Sequence, residues 1–144
     1  MDLRPDVAAC ERNQIDWFHA EARSTGGDVW SDGPLRWIEP VPGGDLMLLF
    51  AEALPSDALD RGLARADAAS VRSIGAWIRA DLDAGPLAER GFERGWAPRW
   101  MTARVRDVPA PADPRVALET VGERLYVRHG FGPVGDGITW WRHH

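Results

Sequence analysis

Apolar positions follow a helical period in two segments of the chain. In residues 4–23 an imperfect apolar stripe runs beside charged residues, and the Gly26-Gly27 pair that follows would end a helix. A second stripe, of alanine and leucine, runs from Ala58 to Ala69. It comes directly after Pro55-Ser56-Asp57, whose polar side chains favour a helix start. The pattern predicts one helix over residues 4–23 and another that begins near Ser56.

Short apolar runs bounded by turn residues predict the strands. Residues 46–50 are five successive apolar residues, which is typical of a central strand covered on both faces. Residues 29–34 are a turn-bearing stretch before the next strand. The remaining predicted strands are 35–38, 71–78, 92–96, 100–105, 115–118, 131–134 and 138–141. Residues 92–96 and 100–105 would form a hairpin-like pair around Ala97-Pro98, and the last two strands surround Gly135-Asp-Gly137.

Two segments of the chain repeat one pattern: a short apolar stretch, an arginine, a Gly-Phe pair, a turn-rich insert and a tryptophan. They are Leu87-Ala-Glu-Arg-Gly-Phe-Glu-Arg-Gly-Trp96 and Leu125-Tyr-Val-Arg-His-Gly-Phe131, which continues to Trp140. Short helices are predicted at residues 87–90 and 122–129, so residues 71–106 and 114–142 both predict β-α-β-β. The chain would divide into residues 1–106, a Pro-rich linker at 107–113, and a half-unit at 114–144 packed on the first part.

The repeated motif resembles the last motif of the GNAT family of N-acetyltransferases. In that family a helix ends in Tyr-x-x-x-Gly-Phe and leads into the final two strands. Tyr126-Val-Arg-His-Gly130-Phe131 matches this pattern, and Leu87-Ala-Glu-Arg-Gly91-Phe92 is a degenerate form of it. The resemblance implies an α+β fold with a mixed and mostly antiparallel sheet flanked by helices. It also implies the arrangement of tandem GNAT proteins, in which the first copy is degenerate.

The departure from the family concerns the cofactor. A GNAT copy that uses acetyl-CoA needs roughly Arg/Gln-x-x-Gly-x-Gly/Ala, where backbone N–H groups at a helix N-terminus bind the pyrophosphate. Nothing in this chain matches, so no cofactor is predicted. By resemblance Tyr126 falls where many members keep a general acid, and Glu119 falls where an Asn is common. Packing between helix and sheet is an equally good interpretation of Tyr126.

Composition and charge exclude several classes of function. The 144 residues carry a net charge of −5 with no basic run, which argues against nucleic acid and favours a cationic or amine-bearing ligand. All 17 basic residues are arginine, so no lysine can form a Schiff base. The histidines and the single Cys10 lack zinc-type spacing, and no metal is predicted. No long apolar run or signal-like N-terminus is present, so we expect a cytoplasmic protein without a membrane span.

Eight tryptophans are the compositional outlier. Cross-strand packing explains any single one of them, whereas several together could line a pocket for a flat or cationic ligand. We predict a cleft between the two β-α-β-β units. Its predicted ligand-binding residues are Trp37, Trp77, Trp96, Trp100, Trp140, Asp45 and Glu52. Its predicted acid–base residues are Tyr126, Glu119 and His129.

Three functions remain open from the sequence. The first is a remodelled GNAT-like protein that binds or converts a small aromatic or amine-bearing molecule without acetyl-CoA. It would use acid–base chemistry if it is an enzyme, and specialised metabolism is one setting that would suit it. The second is an active N-acetyltransferase with an unrecognised acetyl-CoA site. The third is a non-catalytic module that dimerises by covering an open sheet edge.

Overall fold

The computed structural model describes residues 6–102 and 131–144. Three helices lie in this part of the chain: α1 (Val7–Thr25), α2 (Ser56–Ala69) and α3 (Gly85–Ala88). The seven strands are β1 (Asp28–Asp32), β2 (Leu35–Glu39), β3 (Asp45–Leu49), β4 (Ser73–Arg79), β5 (Glu93–Arg94), β6 (Arg99–Thr102) and β7 (Gly132–His143). None of these helices is both long enough and apolar enough to cross a membrane.

All seven strands join in one sheet. Its order is β1-β2-β3-β4-β7-β5, and β6 also pairs with β7. Every pairing is antiparallel except β3 with β4, which are parallel and are connected through α2. A parallel pair needs such a crossover because a short turn cannot return the chain to the same end of the sheet. The fold is therefore α+β with a mixed, mostly antiparallel sheet, as the sequence predicts.

Apolar side chains cover both faces of this sheet. On one face α2 contributes Leu59, Leu63 and Ala66 to a core that also contains the inward-facing residues of the central strands. On the other face α1 packs over a second core. That second core contains Ala22, Ile38, Met47, Leu49 and Phe50, with Ile15, Phe18, Trp77, Trp100 and Trp141 against it. Strand β3 lies between the two cores, which confirms the prediction that it is covered on both faces.

The ends of α1 have a clear local cause. The Asp6 carboxylate accepts a hydrogen bond of 2.8 Å from the Ala9 N–H, and Gly26 ends the helix in the left-handed conformation, with φ of 76°. Helix α2 differs from the prediction at its start. Its N-cap is Pro55, and no side chain caps it. Ser56 is already helical, and Asp57 instead pairs with Arg61 one turn later.

Three predictions about strands are wrong. The sequence predicts a turn-bearing stretch at residues 29–34, but residues 28–32 form β1, and only Gly33-Pro34 turns. Strands β5 and β6 do not form a hairpin, because both pair with β7 and together make one interrupted strand beside it. Residues 131–134 and 138–141 are not separate strands either. Gly135-Asp136-Gly137 continues through β7, since Gly135 and Gly137 leave room for Val7 and Trp100.

Several predictions lie outside the described residues. They are the linker at 107–113, the strand at 115–118, the helix at 122–129 and the residues Glu119, Tyr126 and His129. The first unit shows the predicted order, because β4, α3, β5 and β6 follow one another in the chain. Strand β7, from the C-terminal part, lies between β4 and the interrupted strand, so both parts of the chain contribute to one sheet. The repeat itself stays a prediction.

Candidate functional site

The parallel strands β3 and β4 separate at their carboxyl ends. Leu49 is the last residue of β3 to pair with β4, opposite Trp77. Phe50 then adopts a left-handed conformation, with φ of 46°, while its N–H donates a 2.7 Å hydrogen bond to the Trp77 carbonyl. A bulky residue rarely adopts this conformation, and such strain concentrates at functional positions. Ligands commonly bind beyond the carboxyl ends of parallel strands, so this end of the sheet is the first place to examine.

An aromatic cluster lies on the α1 face at this end. We use that name for Phe18, Phe50, Trp77, Trp96 and Trp100. The Trp77 ring meets the edge of Trp96 with centroids 5.2 Å apart, and Phe50 contacts Trp100 at 5.6 Å. Edge-to-face contacts of this kind add stability beyond the apolar area that they bury. The cluster is therefore a rigid wall built from α1, the end of β3, β4 and the interrupted strand.

The aromatic cluster is open on one side. Trp96 is 54% exposed, although it is one of the largest apolar side chains in the protein. The Trp77 Nε1 atom is buried, and within the described residues no acceptor reaches it. An indole N–H normally finds a partner when it is buried. The cluster thus has an exposed aromatic edge at Trp96, and it holds a buried N–H group at Trp77 that no described residue accepts.

A cleft of about 550 Å³ adjoins the aromatic cluster. We call it the acidic cleft. Its lining residues are Asp6, Val7, Ala8, Arg79, Ala80, Asp81 and Asp136. On β4, Arg79 comes two residues after Trp77 and lies opposite Gly137 of β7. Gly137 in turn lies against the Trp100 ring, since a Cβ at this position would be 2.9 Å from that ring. The cleft and the aromatic cluster are therefore neighbours at the same end of the sheet.

The one arginine in the lining of the acidic cleft is already engaged. Arg79 donates hydrogen bonds of 2.7 Å from Nε and from Nη2 to the two carboxylate oxygens of Glu11, which is 4% exposed. These bonds, followed by the negative charges of Glu11, Glu52 and Asp81, raise the pKa of Arg79. Its charge is permanent and largely balanced by Glu11. Asp136 is likewise paired with Arg99, so Asp6 and Asp81 dominate the field in the cleft.

The three aspartates are held by different elements. Asp6 caps α1, Asp136 accepts a 2.8 Å hydrogen bond from Arg99 Nε, and Asp81 follows β4. They are spread around the cleft and do not converge, and no group of three His, Cys, Asp or Glu side chains within residues 6–102 and 131–144 could hold a metal ion. The arrangement suits a diffuse attraction for a cationic group.

Cys10 lies near this end of α1, but its environment opposes nucleophilic chemistry. Burial raises the pKa of the Cys10 thiol, and the negative charges of Asp6 and Glu11 raise it further. The thiol is therefore protonated at neutral pH, and the protonated form is a weak nucleophile. Cys10 is a partly buried, free thiol on α1.

The predicted ligand-binding residues do not share one cleft. Trp77, Trp96 and Trp100 meet in the aromatic cluster, and the charge of Glu52 is felt at Arg79. Trp37 and Trp140 lie on the opposite face of the sheet with α2. Trp37 is fully buried, stacks on Trp30 at 6.1 Å and packs against Gly62, so it serves the core. Asp45 lies at the other end of β3.

The Asp45 carboxylate is already bound by other side chains of the protein. Its carboxylate accepts hydrogen bonds of 2.9 Å from Nε and Nη2 of Arg72, and one of 2.6 Å from the Ser73 hydroxyl. The Arg72 hydrogen bond is the main reason why the pKa of Asp45 lies below its usual range. The acid–base candidates Tyr126, Glu119 and His129 lie outside the described residues, and their roles stay predictions.

Glu11 and Arg79 were not predicted as site residues, although the sequence carries a signal for Glu11. Positions 11, 15, 18 and 22 share one face of α1, and the other three are Ile15, Phe18 and Ala22. A carboxylate in an apolar stripe requires a partner once it is buried. The helical period therefore indicates a buried ion pair, although it does not identify Arg79.

Comparisons with known proteins assign the chain to no family, because no family model, curated protein or solved structure matches it.

Proposed function

We propose that this protein is a remodelled GNAT-like protein that binds a small aromatic molecule bearing a protonated amine. The amine would lie in the acidic cleft, and the ring would lie against the aromatic cluster. The observation that carries the proposal is the engagement of Arg79 by Glu11, which leaves Asp6 and Asp81 to attract a cation. Free Cys10 fits the cytoplasm as the setting.

The ancestry rests on the motif around Gly91. Helix α3 ends at Ala88, three residues earlier. Gly91 has a φ of 80°, and the Phe92 N–H donates to the Leu87 carbonyl at 3.2 Å. Leu87 and Phe92 are both buried in the α2-side core. The Gly-Phe pair thus lies in the turn just after a helix and anchors the chain that enters β5 and β6, which resembles the arrangement that the GNAT family implies. This agreement supports a common origin.

A ligand other than acetyl-CoA is favoured by the start of α2, the helix that follows β3. Helix N-termini bind pyrophosphate through free backbone N–H groups and a positive dipole end. Pro55 has no N–H at this position, and Asp57 places a carboxylate in the first turn. Glu52 adds a further negative charge shortly before the helix. This terminus would repel a pyrophosphate, which supports a function without the cofactor.

Addition of a partner strand is disfavoured at β1, which is one of the two edges of the described sheet. Asp28 and Asp32 on this strand form ion pairs of 2.7 Å with Arg65 and Arg61 of α2. Arg65 also lies 3.9 Å from the centre of the Trp30 ring. Charged side chains of this kind protect sheet edges from pairing with another chain. For this reason we favour the binding of a small ligand over dimerisation as the function.

The proposal is tested by calorimetry and tryptophan fluorescence with three ligands. Tryptamine carries an aromatic ring and an ammonium group, indole-3-propionate carries the same ring with a carboxylate, and acetyl-CoA tests the alternative activity. We expect saturable binding of tryptamine that weakens with added salt, because the aspartates are exposed and screened. We expect no binding of the other two at millimolar concentration. Equal binding of both indoles would contradict the assigned charge, and binding of acetyl-CoA would favour the acetyltransferase.

Single-residue variants test whether the acidic cleft and the aromatic cluster form the binding site. Asp81→Asn and Trp96→Ala should each weaken tryptamine binding about tenfold, because one removes a charge from the cleft and the other an exposed aromatic edge. Glu93→Gln is the matched control, since Glu93 is an exposed carboxylate on β5 outside the cleft lining. If Glu93→Gln weakens binding as much as Asp81→Asn, the effect comes from net charge alone and the cleft is not the site.

A further inference from the structure

A second groove lies at the opposite end of the α1 face. Its volume is about 390 Å³, and it opens between the last turns of α1 and the first residues of β3 and β4. Its lining includes Phe18, Glu21, Asp45, Met47, Arg72 and Trp141. We call it the Trp141 groove. The groove and the acidic cleft lie at opposite ends of β4, and the strand spans about 20 Å from Ser73 to Arg79.

The Trp141 indole contributes a flat surface to this groove. A Cβ at Gly75, its partner on β4, would lie 2.8 Å from Cη2 and Cζ3 of the indole. A Cβ at Gly95, on the other side of β7, would lie 2.6 Å from Cδ1. Glycine on both sides lets the ring lie close to the backbone. The His143 ring continues the surface in parallel, at 6.2 Å and an interplanar angle of 4°.

The Trp141 groove contains one carboxylate that no residue in the described part of the chain neutralises. Asp45 is balanced by Arg72 and Ser73. Glu21 is half-buried on α1, and its carboxylate has no hydrogen bond or ion pair with any described residue. A partly buried charge without a partner is unfavourable unless a ligand supplies one. Apart from the Asp45–Arg72 ion pair, the other walls of the groove are aromatic and aliphatic.

We infer that the Trp141 groove is a second ligand site, which binds a small planar cation of the aryl amidine or guanidine class. A planar amidinium or guanidinium donates two parallel hydrogen bonds to a carboxylate such as Glu21. The same flat cation stacks favourably on an indole face, here that of Trp141. A tetrahedral ammonium group is less suited to donate two parallel hydrogen bonds to one carboxylate. The site is independent of the proposed amine site, because none of its lining residues belongs to the acidic cleft.

Benzamidine is the probe, with benzoate as the control that keeps the ring and reverses the charge. Binding is measured by calorimetry and by the shift of tryptophan side-chain signals in two-dimensional NMR. We expect benzamidine to bind with a millimolar or lower Kd and to shift the Trp141 indole signal, and benzoate not to bind. Equal binding of the two probes, or no shift at Trp141, would overturn the inference.

Glu21→Gln removes the charge without changing the size of the side chain. It should weaken benzamidine binding at least tenfold, whereas Asp16→Asn, which changes an exposed carboxylate on the same helix, should leave binding unchanged. Asp81→Asn should also leave benzamidine binding unchanged, which separates this site from the acidic cleft. Circular dichroism checks that each variant is folded. Equal losses in Glu21→Gln and Asp16→Asn, or full binding by Glu21→Gln, would overturn the inference.

Discussion

Glu11 of α1 and Arg79 of β4 form two hydrogen bonds of 2.7 Å across the interface between helix and sheet. Glu11 is 4% exposed, whereas the Arg79 side chain is 43% exposed. The carboxylate is thus removed from water and depends on one guanidinium that still reaches the cleft. The pair fixes the first half of α1 beside the end of β4, where the acidic cleft opens.

Replacement of Arg79 by leucine should lower the free energy of unfolding by about 2 kcal/mol, because Glu11 is then buried without a partner. Breaking a fully buried pair costs about 3–5 kcal/mol, and the exposure of Arg79 reduces this value. The double variant Glu11→Leu with Arg79→Leu should recover much of the loss, since no buried charge remains. Urea unfolding of both single variants and the double variant measures the coupling. Additive losses would show that the two residues do not depend on each other.

The elements whose cause is local could be predicted from the sequence. The end of α1 at Gly26 and the strand β3 follow from a left-handed glycine and from an unbroken apolar run. The cap of α2 was missed because Ser56 and Asp57 both have capping side chains, and the pattern does not show which residue is the first helical one.

The arrangement around β7 could not be predicted, because it depends on pairing between distant residues. Trp140 pairs with Ala76 and Trp141 pairs with Gly75, more than 60 positions away in the chain. Adjacent residues of a strand point to opposite faces, so this register decides which tryptophan faces α1 and which faces α2. The tryptophans that composition suggests in a single cleft therefore belong to two separate cores.

Gly62 of α2 allows the helix to approach the Trp37 indole. A Cβ at this position would lie 2.6 Å from Cε2 of that ring, which is fully buried. Alanine favours a helix over glycine by about 1 kcal/mol, whereas overpacking a core costs about 1–3 kcal/mol. Gly62→Ala should therefore reduce stability by about 1 kcal/mol, measured by thermal and urea unfolding.

Trp37→Phe combined with Gly62→Ala gives the control for this clash. Phenylalanine lacks the second ring of the indole, so the added methyl group has room. Gly62→Ala should destabilise the Trp37→Phe background less than it destabilises the natural protein. The same loss in both backgrounds would place the cost of alanine elsewhere in α2.

Asp45 should make stability depend on pH through its contacts with Arg72 and Ser73. The hydrogen bond from Arg72 is the main cause that lowers the pKa of Asp45 in the folded protein, so this carboxylate stabilises the fold above the unfolded value of about 4. The stabilisation is lost as the pH falls through the lower, folded value. Asp45→Asn should therefore cost about 1 kcal/mol at pH 7, and the gap from the natural protein should close below about pH 4. Urea unfolding from pH 7 to pH 2.5 measures the gap, with Asp16→Asn as the exposed control. A gap that stays constant down to pH 2.5 would mean that the Asp45 carboxylate is not what stabilises this end of the sheet.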